Sequence, residues 1–296
     1  MQFKSPQLFA KMTTNTPLFC CSIIVTASSC FSAVLDRLTY RWSDLNTREV
    51  AEWVGDTAHI RQGSRTTELT CKITVEPSEV AFAINSFGIP SQWTSISYKD
   101  EVDLAKKQQQ LRDRASTHGI KMLQEGNKFI VDYNWVVNHS TKDLVDVART
   151  IRNTARRNGY RSRRELIGAI ASFAQSMEYR IPPDHRTNEE GEKILTAGAM
   201  MPLETLTNRW GDCDSKSLLF ASLARSIDLV DVCFIVMDKH LFAGIQITPE
   251  QDDDWIRYKG KDWVLVELSE AWPLGRIPRD HVNAIIQERY EVVALD

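Results

Sequence analysis

The sequence has no surplus of positive charge: 36 Lys and Arg face 39 Asp and Glu, a formal net charge of −3 over 296 residues. A protein that coats nucleic acid normally carries a strong basic excess, so that class is disfavoured and no nucleic-acid partner is expected. Cys-x-x-Cys pairs and paired histidines at metal-ligand spacing are missing, which argues against zinc. Neither a metal nor a cofactor is therefore expected. The acidic run Asp252, Asp253, Asp254 lacks the alternation of an EF-hand loop and reads as a surface turn. Past residue 35, no apolar run approaches the length needed to span a bilayer. Cysteine is sparse as well. Of six, Cys20, Cys21 and Cys30 fall within the first thirty residues, so removal of that segment leaves Cys71, Cys213 and Cys233, enough for one disulfide at most.

What is present is the composition of an ordinary globular protein, 43% hydrophobic and 25% charged, at a length that suits one or two domains. At the front, Lys4 and Lys11 precede a run of apolar and small residues from Leu18 to Leu35. That is the grammar of a signal peptide or membrane anchor over residues 1–33. Cleavage after Ser29 or Ala33, lipidation of Cys30 and an uncleaved anchor are the forms it allows. An exported location (periplasmic, secreted or membrane-anchored) is expected, with envelope or membrane association through this segment. A hydrophobic strand or helix of a cytoplasmic protein is the less favoured reading.

Residues 34–138 read as a smaller mixed or mostly β region. Alternation in Leu69–Val75 and Lys128–Tyr133 predicts strands, and the charged stretch Asp100–His118 predicts a solvated helix stopped by Gly119. Glu125 to Asn127 reads as a turn. From Asp143 the pattern turns helical: Leu144, Val147, Ala148, Ile151 and Ala155 share one face, and Leu166, Ile170, Phe173, Ala174 and Met177 another. Pro182 and Pro183 end the second helix. The arginines between Arg149 and Arg164, without interleaved aromatics, suit a solvated face. Asp184–Gly198 reads as a loop, and Pro202–Leu206 as a short helical or turn segment.

The chemistry-bearing residues cluster in 139–296. Gly211 and Asp212 mark the entry to an apolar-periodic helix, which places Cys213 at or just inside its N-terminus. Unpaired backbone N–H groups and the positive end of the helix dipole favour thiolate there, and the same donors can receive an oxyanion, although Asp212 and Asp214 oppose the thiolate. Val232–Met237 and Leu241–Ile247 then predict strands, with His240 at a strand edge. Trp255–Tyr258 and Trp263–Glu267 predict a hairpin that ends in an acid. Cysteine on a helix, histidine at a strand edge and glutamate at the end of a later strand is the order of a Cys-His-acid triad built from a helix packed on an antiparallel sheet, an α+β arrangement. Cys71 and Cys233 sit within strands and read as core residues. His59, His118, His139, His185 and His281 fit the pattern less well.

Pro202–Leu206 before Gly211–Asp214, the lone His240 and Val266–Ser269 followed by Pro273–Pro278 resemble the transglutaminase-like cysteine-protease superfamily, within the papain-like fold. The family's short Glu-Thr-Thr or Asp-Pro-Thr signature is replaced here by Glu267, Leu268 and Ser269, and the likeness runs from about Leu144 to Pro278. The resemblance implies a papain/transglutaminase-like domain in which Cys213 is the nucleophile, His240 the base and Glu267 the group that orients the imidazole. It implies attack on a peptide, isopeptide or amide carbonyl and an acyl-enzyme resolved by water, with a protein or peptide as substrate. Resolution by an amine would make the protein a crosslinking transglutaminase, and the fold also supports non-catalytic binding or scaffold modules. The Cys213 N–H is the first oxyanion donor expected, with the Trp210 indole as a second, and Asp212 and Asp214 shape the site.

Overall fold

The computed structural model of the chain describes residues 36–44, 48–54, 57–63, 67–123 and 128–295. The expected signal or anchor over 1–33 and the turn at 125–127 lie outside them. Strand β1 (Asp36–Asp44) pairs antiparallel with β4 (Thr67–Val75), and β2 (Arg48–Val54) with β3 (Thr57–Gly63). In β4 the alternation is complete: Leu69, Cys71, Ile73 and Val75 are buried and Thr70, Lys72 and Thr74 exposed, as a period of two requires when one face meets a core.

Helix α1 (Pro77–Ser86), the short β5 (Ile89–Pro90), helix α2 (Glu101–Ser116) and the hairpin β6 (Ile120–Met122) and β7 (Phe129–Val131) follow. Asp100 caps α2 through Asp103 N–H, and Gly119 follows it at φ +73°, where a side chain would collide with Trp135. Helix α3 (Tyr133–Ser140), capped by Asp132, leads into α4 (Val145–Arg157) and α5 (Arg163–Gln175). Ser162 and Glu165 form a reciprocal capping box at the start of α5.

Beyond α5 come β8 (Glu178–Tyr179) and two strands inside the expected loop, β9 (His185–Thr187) and β10 (Lys193–Leu195), which pair with each other, β10 also pairing with β5. Three residues are too few for a periodic signal, which is why this stretch reads as loop in the sequence. Helix α6 (Pro202–Asn208) and β11 (Trp210–Gly211) lead into α7 (Cys213–Ser226). The chain closes with β12 (Val232–Met237), β13 (His240–Ile245), β14 (Trp255–Tyr258), β15 (Lys261–Val266), α8 (Arg279–Ile286) and β16 (Glu291–Ala294).

The fold is mixed α+β, and its largest sheet is five-stranded and antiparallel in the order β14-β15-β13-β12-β16. Phe234, Leu241, Ala243, Val264 and Val266 on one face join the core around α7. Cys233, Ile235, Phe242, Trp263 and Leu265 on the other form a second cluster against Val282 and Ile285 of α8. Helix α7 is buried almost throughout: Leu218, Leu219, Phe220 and Leu223 have no exposed surface, each stabilising the fold by roughly 1.5–3 kcal/mol. The described residues pack as one compact unit. Residues of the expected N-terminal region share the main core: Trp42 Nε1 donates to Ala169 O at 3.2 Å, its ring meets Phe173 edge-on, and Tyr40 OH donates to Leu206 O at 2.8 Å. No helix among the described residues is long and apolar enough to cross a membrane.

Candidate active site

Gly211 and Asp212 set Cys213 in place. A Cβ at Gly211 would lie 2.9 Å from Ser215 Cβ, so only glycine lets β11 come this close to the first turn of α7. Asp212 is the N-cap residue: its carboxylate accepts from Ser215 N at 2.9 Å and Ser215 Oγ at 2.7 Å. Lys216 N donates to Asp212 O, so the N–H groups of Cys213 and Asp214 are the donors left at the helix mouth. Cys213, the first residue of α7, is 8% exposed.

The backbone N–H of Leu241 in β13 lies near enough to the thiol to favour its ionised form. Sγ donates to Asp214 Oδ1 at 3.5 Å, and Asp214 Oδ2 accepts from Tyr133 OH at 2.7 Å. Among the described residues no hydrogen bond joins Sγ to the His240 ring. Burial and the charges of Asp214 and Asp212 push the thiol far above its ordinary pKa, with the Leu241 N–H pulling the other way. Asp212 itself is pushed up to about 6 by burial and by Asp214. The opposition of the two acids expected from the sequence is therefore strong.

His240 opens β13 after a two-residue turn at Asp238 and Lys239, and Met237 pairs with it across the hairpin. Its Nε2 lies 2.8 Å from Glu267 Oε2, and Glu267 is 1% exposed just past the end of β15. The other carboxylate oxygen accepts from Ser269 N at 2.6 Å and Ser269 Oγ at 2.7 Å. Burial pushes the Glu267 carboxyl up, but the bond and charge of His240 and the two Ser269 donors outweigh it and leave it below the ordinary range. An ionised Glu267 fixes the proton on Nε2 and leaves Nδ1 as the basic ring nitrogen.

A further set of residues that the sequence did not single out holds this acid in place. Gln175 Nε2 donates to Glu267 O at 2.7 Å and Trp272 O at 2.8 Å. Lys216, fully buried, donates from Nζ to Gln175 O, Met177 O and Ser269 O at 2.9–3.1 Å. Burial pulls its amine down to about 8, against the pull of Glu267 and Glu270. Arg164, one of the expected solvated arginines, instead grips Asp253 with two bonds of 2.6 and 2.9 Å. Asp254 meanwhile bonds Gly275 O and Ile277 N. The acidic run begins in an exposed turn at Asp252, as expected, and its Asp253 and Asp254 also anchor the segment that follows Glu267. The His240 ring also meets Phe242 edge-on and stacks on His281 of α8.

Trp210 lies on β11 with the Arg180 guanidinium 5.0 Å above its ring, and no hydrogen bond links its indole to Cys213 among the described residues. Sγ and one carboxylate oxygen each of Asp212 and Asp214 lie within 4.8 Å of one another, a metal-like group. Ser215 and Tyr133 already occupy those carboxylates, so they are poor candidates for ion ligands. Cys71 and Cys233 are buried and free, and burial raises their thiols to about 11 and about 12. A groove of about 710 Å³ opens between Trp272–Ile277 and α8, with Arg276 and Arg279 beside Val282. Comparison with known proteins finds no match: no family model matches the sequence, and no curated protein or solved structure matches the chain.

Proposed function

We propose that the protein is a thiol-dependent hydrolase that cleaves peptide, isopeptide or amide bonds through Cys213, His240 and Glu267, on a papain/transglutaminase-like fold. The observation that carries this reading is the His240–Glu267 bond at 2.8 Å, largely shielded from solvent and set at the start of the strand whose next amide, Leu241 N–H, favours the Cys213 thiolate. Helix α7 packed on an antiparallel sheet supports the fold assignment.

The Glu267-oriented imidazole serves as the general base toward the Cys213 thiol, whose ionisation burial and the charges of Asp214 and Asp212 oppose. Sγ turns from Asp214 to Nδ1, gives up its proton there and forms a bond to the carbonyl carbon. The carbonyl π pair moves to oxygen, which the N–H groups of Cys213 and Asp214 receive. Glu267 stabilises the imidazolium. Collapse of the intermediate breaks the C–N bond, the amine leaves with the Nδ1 proton, and water releases the acyl group as a carboxylic acid. Catalytic hydrogen bonds of this kind tighten on substrate binding, which suits the thiol's resting contact with Asp214. The substrate is a protein or peptide, met outside the cytoplasm if residues 1–33 direct export.

A second reading, a non-catalytic binding module, draws on that same Asp214 contact. Thiol alkylation with mass mapping across pH separates the two. The hydrolase reading expects the His240→Ala variant to lose at least about tenfold in Cys213 alkylation rate near neutral pH, while Cys71 and Cys233 stay inert in both. A Cys213 indifferent to His240 would leave the binding module as the better account.

A further inference from the structure

His240 is held at its edge by Glu267, but one hydrogen bond leaves the ring free to rock about its Cβ–Cγ bond. Two aromatic contacts close off that motion. His281, on the first turn of α8, stacks on the His240 ring with centroids 4.7 Å apart and planes 12° from parallel. Phe242 meets the edge of both rings, at 4.4 Å from His240 and 5.3 Å from His281. Helix α8 is itself fixed from behind, because Val282 and Ile285 pack on the apolar cluster of Phe242, Trp263 and Leu265.

We infer that His281 is a positioning residue for the base: its ring is a plate against which His240 lies, holding Nδ1 on the Cys213 side while Glu267 holds Nε2. The inference rests on the reading of His240 as the base. What it needs from residue 281 is a flat aromatic face, since the stack is ring on ring and is made by no hydrogen bond. Bulk alone, as in leucine, fills the space without defining a plane, and a planar ring without nitrogens restores the plane without the charge. A stacked aromatic pair is of a size that, spent wholly on orientation, changes a rate by about three- to tenfold.

The test compares His281→Leu and His281→Phe in the full chain by two readouts. One is the Cys213 alkylation rate. The other is the ring-nitrogen NMR signal of His240, which reports tautomer and ring order independently of any activity. The inference expects the Leu variant to slow alkylation about three- to tenfold and to mix or broaden the His240 ring signals, and the Phe variant to return both to within about twofold of wild type. It is overturned if both variants match wild type, or if both are impaired alike with the His240 signals unmoved. Circular dichroism on each variant excludes misfolding, and the Phe variant keeps the test decisive if the Leu variant is unstable. The His240→Ala control separates the two levels. Its indifference would sink the base assignment, while the NMR readout would still show whether His281 orders the ring.

Discussion

Asp212 acts in two opposing ways at the mouth of α7. Its carboxylate satisfies Ser215 and so helps the helix start, yet as a half-buried charge beside Asp214 it resists ionisation of itself and of the thiol. Its folded pKa of about 6 lies above the ordinary aspartate value. The folded state therefore holds this proton more tightly than the unfolded chain. That contribution to stability is complete at pH below the unfolded value and is lost as pH rises through about 6. Asp212→Asn, which keeps the capping oxygen, is expected to be more stable than wild type above that pH by on the order of 1–2 kcal/mol, an advantage that vanishes in acid. Urea unfolding on both sides of the transition measures it, and the variant's Cys213 should alkylate faster at a given pH. Equal stability at both pH values would contradict the assignment. At this scale the sequence was informative where residue type and element boundary coincide, as at Cys213, His240 and Glu267. Tyr133 was not legible, since its partner Asp214 is 81 positions away. Lys216 was not either, because a lysine in a helix otherwise reads as solvent-facing.

Among the elements, α7 is the hub, and Lys216 ties it to the end of α5 and to the segment after β15 through three carbonyls. Lys216→Met keeps the length and the apolar stem but leaves those carbonyls unpaired. Each orphaned carbonyl costs about 1–3 kcal/mol, partly offset by removal of a buried amine, so a net loss of roughly 2–4 kcal/mol is expected. Because Ser269 is one of the three and also holds Glu267, the variant should lose His240-dependent alkylation of Cys213 along with thermal stability. Loss of stability with unchanged reactivity would show the tether to be structural only. The long periodic helices α4, α5 and α7 were readable because their apolar stripes repeat over several turns. The short β9 and β10, and the whole of α8 and β16, were not. So short a strand is legible only beside a turn signal, as β14 is beside Lys259–Lys261, and α8 has only Ala284 buried, its place being set by the sheet face it covers.

For the molecule as a whole, β1 and β4 pack on α4 and α5, so the front of the described chain and the half that carries Cys213, His240 and Glu267 share one core. Trp42→Ala, which removes a 3% exposed side chain and its bond to Ala169, is expected to destabilise the entire unit by about 3–5 kcal/mol. Far-ultraviolet circular dichroism and Cys213 accessibility should then change at one shared, lowered midpoint, as in a single cooperative transition. Separate midpoints would mean that the half carrying Cys213 folds without the β1–β4 ribbon. Composition and pattern conveyed the α+β class, but the shared core rests on contacts such as Tyr40 to Leu206, 166 residues apart, which no local pattern encodes. The central claim is that Cys213 takes an acyl group with His240 as its base, and its most direct test is treatment with 4-nitrophenyl acetate. The account predicts a burst of nitrophenolate with one acetyl group mapped to Cys213, abolished in Cys213→Ala and strongly slowed in His240→Ala. Acetylation that misses Cys213, or that reaches it equally fast without His240, would contradict it.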